Sequence, residues 1–287
     1  MFTGDLLAKA LFNDYYFLYM NKKNLITLIL FCNYILPALA QDTTYYDANW
    51  KVSVVSNATY FRLKLKKGAG WQVKDCYISG KPQMEGAYSD YSCTINQGAF
   101  SYYDENGHLY HVCHYEQGQL EGDEILYYDN NQIRTEGKYK DGKREGEWVG
   151  YFPSGKLSAH ASFKDGDQIS GNFFNEDGTR NESVNEFSRA NSYPGGLRAF
   201  QRFLIHNLHY PDAAVNRSVE GTVLIGFDIS KAGKIENIKL LRSVETSLDK
   251  EALRVIGLIP EWEPLIIGGI LCDSYQRQPI IFSLEEK

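Results

Sequence analysis

The feature that most constrains the fold of this chain is a repeat of 24 residues in its middle. Glycines and aromatic residues recur at this spacing: Gly98, Gly122 and Gly146; Tyr115, Tyr139 and Phe163; and Gly118, Gly142 and Gly166. Chains with a period of this size form arrays whose units bury their apolar faces against neighbouring units. The repeat therefore predicts an antiparallel β-meander over residues 86–179.

Turn residues follow the same frame. Gly107, Asn131 and Gly155 lie at matching offsets between the two strands of each unit. Asn131 fits such a turn because asparagine tolerates a positive φ better than most residues. An aromatic pair precedes each turn, and these pairs form either a ligand surface or the packed face of the sheet. Packing is the favoured interpretation, since aromatic side chains suit pleated surfaces.

The regions beside the array have different compositions. Residues 41–85 contain two short runs of strand-forming residues, which predicts a β-rich cap. Residues 176–194 are rich in Asn, Glu, Asp, Ser and Gly and poor in apolar side chains, so a linker is predicted over residues 180–193. Residues 194–287 are then expected to form a separate domain.

The last domain has the order helix, two strands, helix, strand. An amphipathic helix over 195–208 is predicted by the spacing of Leu197, Phe200, Leu204 and Leu208. Strands are predicted over 222–229, 235–242 and 275–284, and the pattern Thr246-x-x-Asp249 predicts a capped second helix. Pro279 lacks a donor N–H, so the last strand is expected at a sheet edge. The expected fold class is α+β.

This domain resembles the C-terminal domain of TonB, the energy transducer of Gram-negative bacteria. The matching residues, in chain order, are Tyr210-Pro211 with Ala213 or Ala214, Glu220-Gly221-Thr222-Val223, Phe227-Asp228-Ile229, Gly233-Lys234-Ile235, Ser243, Leu248-Asp249 with Glu251-Ala252, Pro260 with Trp262 and Pro264, and Pro279-Ile280 with Phe282. Together they span about a third of the chain. The resemblance implies a three-stranded antiparallel sheet packed by two helices.

The resemblance also implies a partner. The family grips an outer-membrane transporter from the periplasm by adding the transporter's short N-terminal segment to its own last strand. An edge strand has unpaired N–H and C=O groups, which an extended peptide satisfies. Core or dimer packing stays an alternative for the apolar side chains there. The residues to which partner binding is assigned are Arg277, Gln278, Pro279, Ile280, Ile281 and Phe282, with Tyr210 and Pro211.

The array has its own resemblance. The phrase from Gly137 to Trp148 resembles MORN-type repeats, and more closely the MORN-like variant named after a family of bacterial antitoxins. That name implies little about mechanism in an exported protein. The array is therefore expected to act as a spacer or as a second contact surface.

The N-terminal 40 residues have the pattern of an extension followed by a signal peptide. A basic start at Met20-Asn21-Lys22-Lys23 precedes an apolar run over 25–36 and an Ala-x-Ala site before Gln41. The pattern predicts that translation starts at Met20 and that the mature chain begins at Gln41 in the periplasm. A retained apolar run would instead anchor the chain in the inner membrane, facing the periplasm, where motor proteins become partners.

Composition excludes one class of partner. The formal net charge is −6, and nucleic-acid binding requires clustered Lys and Arg, so nucleic acid is not an expected partner. An oxidising compartment would allow one disulfide among Cys76, Cys93 and Cys113, with the pairing open. The alternative is that these cysteines are small buried apolar residues.

No catalytic constellation is present in the sequence. The sequence contains neither a phosphate-binding glycine loop nor a nucleophile elbow. His111 and Cys113 share a strand face while His114 points away, and two ligands are too few for a structural zinc site. The chain is therefore expected to be a non-enzyme without cofactor or metal.

Two functions remain at the level of sequence. The first is a TonB-like periplasmic protein that docks an outer-membrane transporter by strand addition, in TonB-dependent transport. The alternative is a periplasmic protein-interaction scaffold with MORN-like repeats and no energy transduction. The sequence does not name the transported substrate, and it leaves a homodimer open.

Overall fold

The computed structural model of the chain describes residues 42–284. Predictions about the extension, Met20 and the signal peptide lie outside these residues. The chain divides into two compact units. The first contains the described residues up to 132 together with 138–144, and the second contains 133–137 and the residues from 145 onward.

The first unit is an antiparallel β-sheet. Its strands neighbour each other in the order β1-β2-β3-β4-β5-β6-β8, and β7 pairs with β6. This order confirms the predicted meander, because each strand except the two-residue β7 pairs with the next long strand along the chain. The strands are β1 (Asp42–Tyr46), β2 (Tyr60–Lys67), β3 (Gly70–Tyr77), β4 (Pro82–Tyr88), β5 (Gly98–Tyr103), β6 (Leu109–Glu116), β7 (Gln119–Leu120) and β8 (Gly122–Tyr127).

The aromatic residues of this unit pack against one another. Phe100 is almost fully buried, and its ring meets Tyr88 and Tyr115 edge-on, with centroids 5.3 and 5.0 Å away. Gly86 makes this packing possible, since a Cβ at that position would lie 2.3 Å from the Phe100 ring. Tyr102, from the first of the predicted aromatic pairs, also packs against this cluster, which agrees with the packing interpretation for that pair.

A side chain from one repeat caps the turn of the next. The first turn residue has a positive φ, as in the tight hairpin turns that match strand twist. Its N–H group donates to a carboxylate or amide oxygen 20 residues earlier, and the donor–acceptor pairs are Gln117 with Gln97, Asp141 with Glu121, and Asp165 with Glu145. The opposite turns also behave as predicted, with φ values of 90° at Gly107, 63° at Asn131 and 81° at Gly155.

The second unit holds the last repeat and the C-terminal domain. Its strands neighbour one another in the orders β10-β11-β12, β13-β16-β17 and β15-β14-β18. Strand β9 (Ile133–Lys140) is shared by the two units. The other elements are β10 (Lys143–Tyr151), β11 (Leu157–Lys164), β12 (Asp167–Phe173), β13 (Ser188–Arg189), α1 (Gly196–Asn207), α2 (Asp212–Val215), β14 (Gly221–Ile229), β15 (Ile235–Arg242), α3 (Thr246–Gly257), β16 (Leu265–Ile267), β17 (Ile270–Cys272) and β18 (Ser274–Phe282).

The core of the C-terminal domain lies between its helices and one face of β14. The four predicted inward residues of this strand, Val223, Ile225, Phe227 and Ile229, are fully buried. Phe200 of α1 and several residues of α3 close the core from the other side. Full burial of one such side chain is worth about 1.5–3 kcal/mol, so this layer holds the α+β domain together.

Two local predictions in this domain are wrong. Leu197 was assigned to the apolar face of its helix, but its side chain is 71% exposed. The second helix begins at Thr246 with Glu245 as its N-cap, and the Glu245 carboxylate accepts from the Ser247 N–H. Asp249 is buried and accepts from the Val244 N–H at 3.0 Å. The cap therefore lies one residue earlier than the sequence pattern suggested.

The β16–β17 hairpin packs its turn against the last repeat. Its turn residues Gly268 and Gly269 have positive φ values of 59° and 74°. The Ser158 hydroxyl of β11 donates to the Gly268 carbonyl oxygen at 2.7 Å. A Cβ at Gly150 of β10 would lie 2.5 Å from the same oxygen. The last repeat and the C-terminal domain are thus joined by a close backbone approach.

Residues 180–193 take part in this packing. Val184 and Phe187 are buried, and the Phe187 ring lies edge-on to Trp148 and Phe163. The segment assigned as a linker therefore contributes to the interior of the second unit. The predicted domain limits stay predictions, since the compact units divide the chain elsewhere.

Candidate functional site

Strand β18 forms one edge of the three-stranded sheet of the C-terminal domain. It pairs with β14 over nine residues, from Ser274 opposite Ile229 to Phe282 opposite Gly221, without a register shift. Within residues 42–284, no strand pairs with its other side. This free side is a regular row of backbone groups, which is what strand addition requires.

Pro279 indicates which backbone groups face the free side. Opposite residues in an antiparallel pair alternate between pairs that exchange hydrogen bonds and pairs that do not. A proline within a paired strand suits a position where its missing N–H would face away from the neighbour. By this alternation, the N–H groups of Tyr275, Arg277 and Ile281 also face outward, whereas the N–H of Gln278 faces β14.

The other edge of the sheet, β15, is less suited to accept a strand. Its pairing with β14 shifts register twice, and Asn237 in the strand has a φ of 51°. The exposed side chains of Glu236 and Lys239 place charges along it. Bulges and charges are the features by which proteins protect edge strands from pairing, so β18 is the open edge.

The predicted binding residues of β18 separate into two sets. Ile280 and Phe282 are 1% and 3% exposed and belong to the core, while Gln278 is half-buried. Arg277 and Pro279 are exposed, and Ile281 is 66% exposed. Only this second set is placed to touch a partner with its side chains.

Tyr210 and Pro211 do not lie along the free side of β18. The Tyr210 hydroxyl donates to the Val219 carbonyl oxygen at 2.7 Å, and its ring lies edge-on to Phe282 at 5.5 Å. Burial and the nearby Glu220 raise the pKa of Tyr210 above its ordinary value. The phenol therefore stays protonated at neutral pH and acts in packing. Pro211 is the N-cap of the short helix α2.

Beside the predicted Ile281, the sheet face opposite the helices carries two apolar side chains, Tyr275 and Leu241, that were not predicted as site residues. Tyr275 lies across Gly226, because a Cβ there would meet the Tyr275 hydroxyl at 1.9 Å and Leu241 at 2.9 Å. Tyr275, Leu241 and Ile281 are all exposed. The alternation with the predicted residues 277, 279 and 281 could have added Tyr275, since every second residue of a strand shares a face.

A second cluster of ionisable groups lies in the first unit. His111 and Glu124 are bonded at 2.9 Å, and both side chains are mostly buried. Burial disfavours the charged imidazole, but hydrogen bonds to Cys113 and Glu124 outweigh it and raise the pKa of His111 to about 9. No group of three or more His, Cys, Asp or Glu side chains among residues 42–284 is arranged to hold a metal ion.

The four described cysteines are free thiols. Cys76 and Cys113 are buried, and Cys93 and Cys272 are half-buried. Burial raises the pKa of the Cys76 thiol to about 11, which keeps it protonated and unreactive at neutral pH. This agrees with the alternative that treated the buried cysteines as small apolar residues.

The helices of the described region are short. No helix within residues 42–284 has the length and apolar content that a membrane span requires. The predicted apolar run over 25–36 lies outside these residues.

Comparison with known families agrees with both resemblances. Residues 206–284 match the family described as the Gram-negative bacterial TonB protein C-terminal. Residues 96–117, 120–141 and 144–165 each match the MORN repeat variant. The match to the TonB family covers α2, α3, the β16–β17 hairpin and the whole β15-β14-β18 sheet.

Two solved structures are similar in part. The solution structure of the TonB C-terminal domain of Helicobacter pylori is 28% identical, with 33% of this chain and 89% of that chain covered and a TM-score of 0.26. A GtfA/B complex bound to UDP and GlcNAc is 10% identical, with 42% and 23% covered and a TM-score of 0.18. The comparison with curated proteins gave no match.

The assignment rests on the two family matches. They place the two motifs in the same order as the repeats and the C-terminal domain of the structure. The chain therefore carries three MORN repeat variants followed by a domain of the TonB C-terminal family.

Proposed function

We propose that this protein docks an outer-membrane TonB-dependent transporter from the periplasm by strand addition to β18. The observation that carries the proposal is the free, unshifted edge of β18 in a domain that matches the TonB C-terminal family. The ligand is an extended peptide, because main-chain hydrogen bonds to an edge strand give affinity without a fixed sequence. The proposed role is in binding, with no chemical step.

The peptide is expected to bond the outward backbone groups of Tyr275, Arg277 and Ile281. Pro279 lies among them and offers only a carbonyl oxygen. The exposed side chains of Ile281 and Tyr275 lie on the face opposite the core. Apolar side chains at alternate positions of the peptide would therefore be favoured on that face.

A single proline substitution, with alanine as its control, shows whether the peptide binds through the backbone of β18 or through its side chains. Arg277→Pro removes one outward donor from an exposed position, and Arg277→Ala removes the same side chain but keeps the donor. Isothermal titration calorimetry with a synthetic peptide of a transporter's N-terminal segment measures the peptide affinity of both variants. The proline variant should bind about 10-fold more weakly, the equivalent of one net hydrogen bond. The alanine variant should bind nearly as tightly as the parent.

Folding is checked by thermal unfolding of each variant. Gln278→Pro serves as a contrast, since it removes a donor to β14 and should lower the melting temperature. Unchanged peptide affinity in a folded Arg277→Pro variant would show that the peptide does not pair with β18.

The cellular part of the proposal depends on residues 1–40. A mature chain that starts at Gln41 would be a periplasmic docking protein, without its own link to the inner-membrane motor. A chain that keeps residues 25–36 would be anchored in the inner membrane and would transmit energy to the transporter. Fractionation with mass spectrometry of the N-terminus distinguishes the two cases.

A periplasmic interaction scaffold without energy transduction stays the second candidate. A scaffold would use the same free edge of β18 for docking and would differ only in having no link to the inner-membrane motor. Self-pairing of β18 would give a homodimer, because the same edge would serve both copies. Sedimentation of the protein with and without the peptide tests this, since the peptide would dissociate such a dimer.

A further inference from the structure

Helix α1 presents an unusual face to solvent. Its core side is formed by Phe200, Phe203 and Leu204. Its solvent-exposed surface carries Leu197 and Ile205, which are 71% and 78% exposed. Eight residues at 1.5 Å each separate the two along the helix by about 12 Å. A surface helix in a soluble protein normally places charged and polar residues there, so the two aliphatic side chains need an explanation.

The charges on this face have one sign. Arg198 and Arg202 are exposed and four residues apart, hence on the same side of the helix. The helix contains no Asp or Glu, and His206 lies in its last turn. Among residues 42–284, neither arginine has an ion-pair partner. The face is thus a cationic and aliphatic strip in a chain whose formal net charge is −6.

At 100° per residue, the aliphatic and the arginine side chains lie on two adjacent lines along the helix. Leu197, Gln201 and Ile205 follow one line along the helix, and Arg198 and Arg202 follow the neighbouring line. Long arginine side chains can lie along an apolar surface while their guanidinium groups reach anions beside it. The strip therefore suits a surface that has an anionic layer on the outside and an apolar layer directly beneath it.

We propose that the solvent face of α1 rests on an anionic phospholipid surface. Helices that lie in the membrane interface combine apolar side chains with arginine or lysine in this way. An acidic protein is a poorer match, because a stable protein interface needs about 800 Å² from each partner and is enriched in aromatic residues. The α1 strip is one short convex helix without an exposed aromatic ring.

This surface goes beyond the proposed function, because it uses a helix face and not the backbone of β18. Lipid phosphates would accept from Arg198 and Arg202, and Leu197 and Ile205 would enter the boundary between headgroups and acyl chains. The contact would be weak and reversible.

The test is co-sedimentation of the full chain with phosphatidylcholine vesicles that either lack or contain phosphatidylglycerol. The double variant R198E/R202E should lose at least the attraction of two arginines, which is about a 30-fold lower partition coefficient on anionic vesicles, or about 2 kcal/mol. The control K231E/K239E makes the same charge change at two exposed lysines of the same domain and should bind like the parent. The N-terminal apolar run contributes equally to all three proteins.

A second variant tests the aliphatic half. Leu197→Ser with Ile205→Ser should weaken binding to both kinds of vesicle. Melting temperatures and peptide affinity at β18 should stay unchanged in every variant, so failure here is distinct from failure of the docking proposal.

Four results would overturn the inference. The first is a parent protein that shows no preference for anionic vesicles. The second is an R198E/R202E variant that binds like the parent. The third is a K231E/K239E variant that loses as much binding as R198E/R202E does. Binding of the α1 strip to soluble polyglutamate, without binding to vesicles, would also overturn it and assign the face to an acidic protein.

Discussion

The close approach between Gly150 and Gly268 makes a sharp prediction about Gly150→Ala. An added Cβ would lie 2.5 Å from the Gly268 carbonyl oxygen and 2.8 Å from the Gly268 Cα. Both are backbone atoms of a turn, so neither can rotate away. The hairpin must shift, and the variant is therefore expected to weaken the packing between the last repeat and the C-terminal domain.

The magnitude follows from three contributions. Overpacking of this kind costs about 1–3 kcal/mol. Loss of the buried bond from the Ser158 hydroxyl to the Gly268 oxygen adds about 1 kcal/mol. Replacing a strand glycine by alanine returns roughly 0.5–1 kcal/mol through reduced backbone entropy. The net loss is about 1–3 kcal/mol, or a fall of roughly 3–10 °C in the melting temperature of the second unit.

Differential scanning calorimetry measures this fall, and two variants calibrate it. Ser158→Ala removes only the hydrogen bond, so its effect should be about 1 kcal/mol. Gly257→Ala places the same methyl group where the nearest atom, in Ile238, is 3.9 Å away, and it should be neutral or slightly stabilising. A Gly150→Ala protein that melts at or above the parent temperature would refute the close approach.

Two further predictions concern the repeats. Despite burial, hydrogen bonds to Cys113 and Glu124 raise the pKa of His111 to about 9, above the unfolded value of about 6.5. Together they should contribute roughly 3 kcal/mol to the free energy of unfolding below pH 6.5, and this contribution is lost as pH rises through 9. Chemical denaturation at about pH 6 and about pH 10 should show this loss in the parent but not in His111→Gln; equal pH dependence in both would contradict it. Glu145→Ala removes the cap on the Asp165 N–H and should cost about 1 kcal/mol by urea denaturation. Glu145→Gln keeps an acceptor and should be neutral, and equal losses in the two variants would exclude the cap as the cause.

Local patterns predicted the parts of the fold that depend on neighbouring residues. The alternation from Val223 to Ile229 identified the buried face of β14, because a strand with one buried face leaves a period of two. The repeat frame predicted the positive φ at Asn131, because only a few residue types tolerate that conformation. Leu197 was misassigned, since helical spacing alone fits two overlapping apolar stripes.

Contacts between distant segments were not predictable from these patterns. The Gly-Gly pair at 268–269 between apolar residues is a hairpin signal, and it could have identified β16 and β17. Its packing against Ser158, 110 residues away along the chain, produces no periodic pattern in the sequence. For the candidate site, Pro279 correctly indicated an edge strand. The register with β14 was needed to separate the core residue Ile280 from the exposed Ile281.

The turn caps and the Gly150–Gly268 approach have different consequences for how such an array changes length during evolution. Each cap reaches only the turn of its own repeat boundary, so a whole unit of 24 residues can be gained or lost in the middle with every cap restored. The final repeat has no such freedom, because Gly150 and Ser158 fit the Gly268 turn. Related chains are expected to vary in the number of earlier repeats while keeping small residues at these positions. The last repeat and the C-terminal domain that follows it would then be inherited together as one unit.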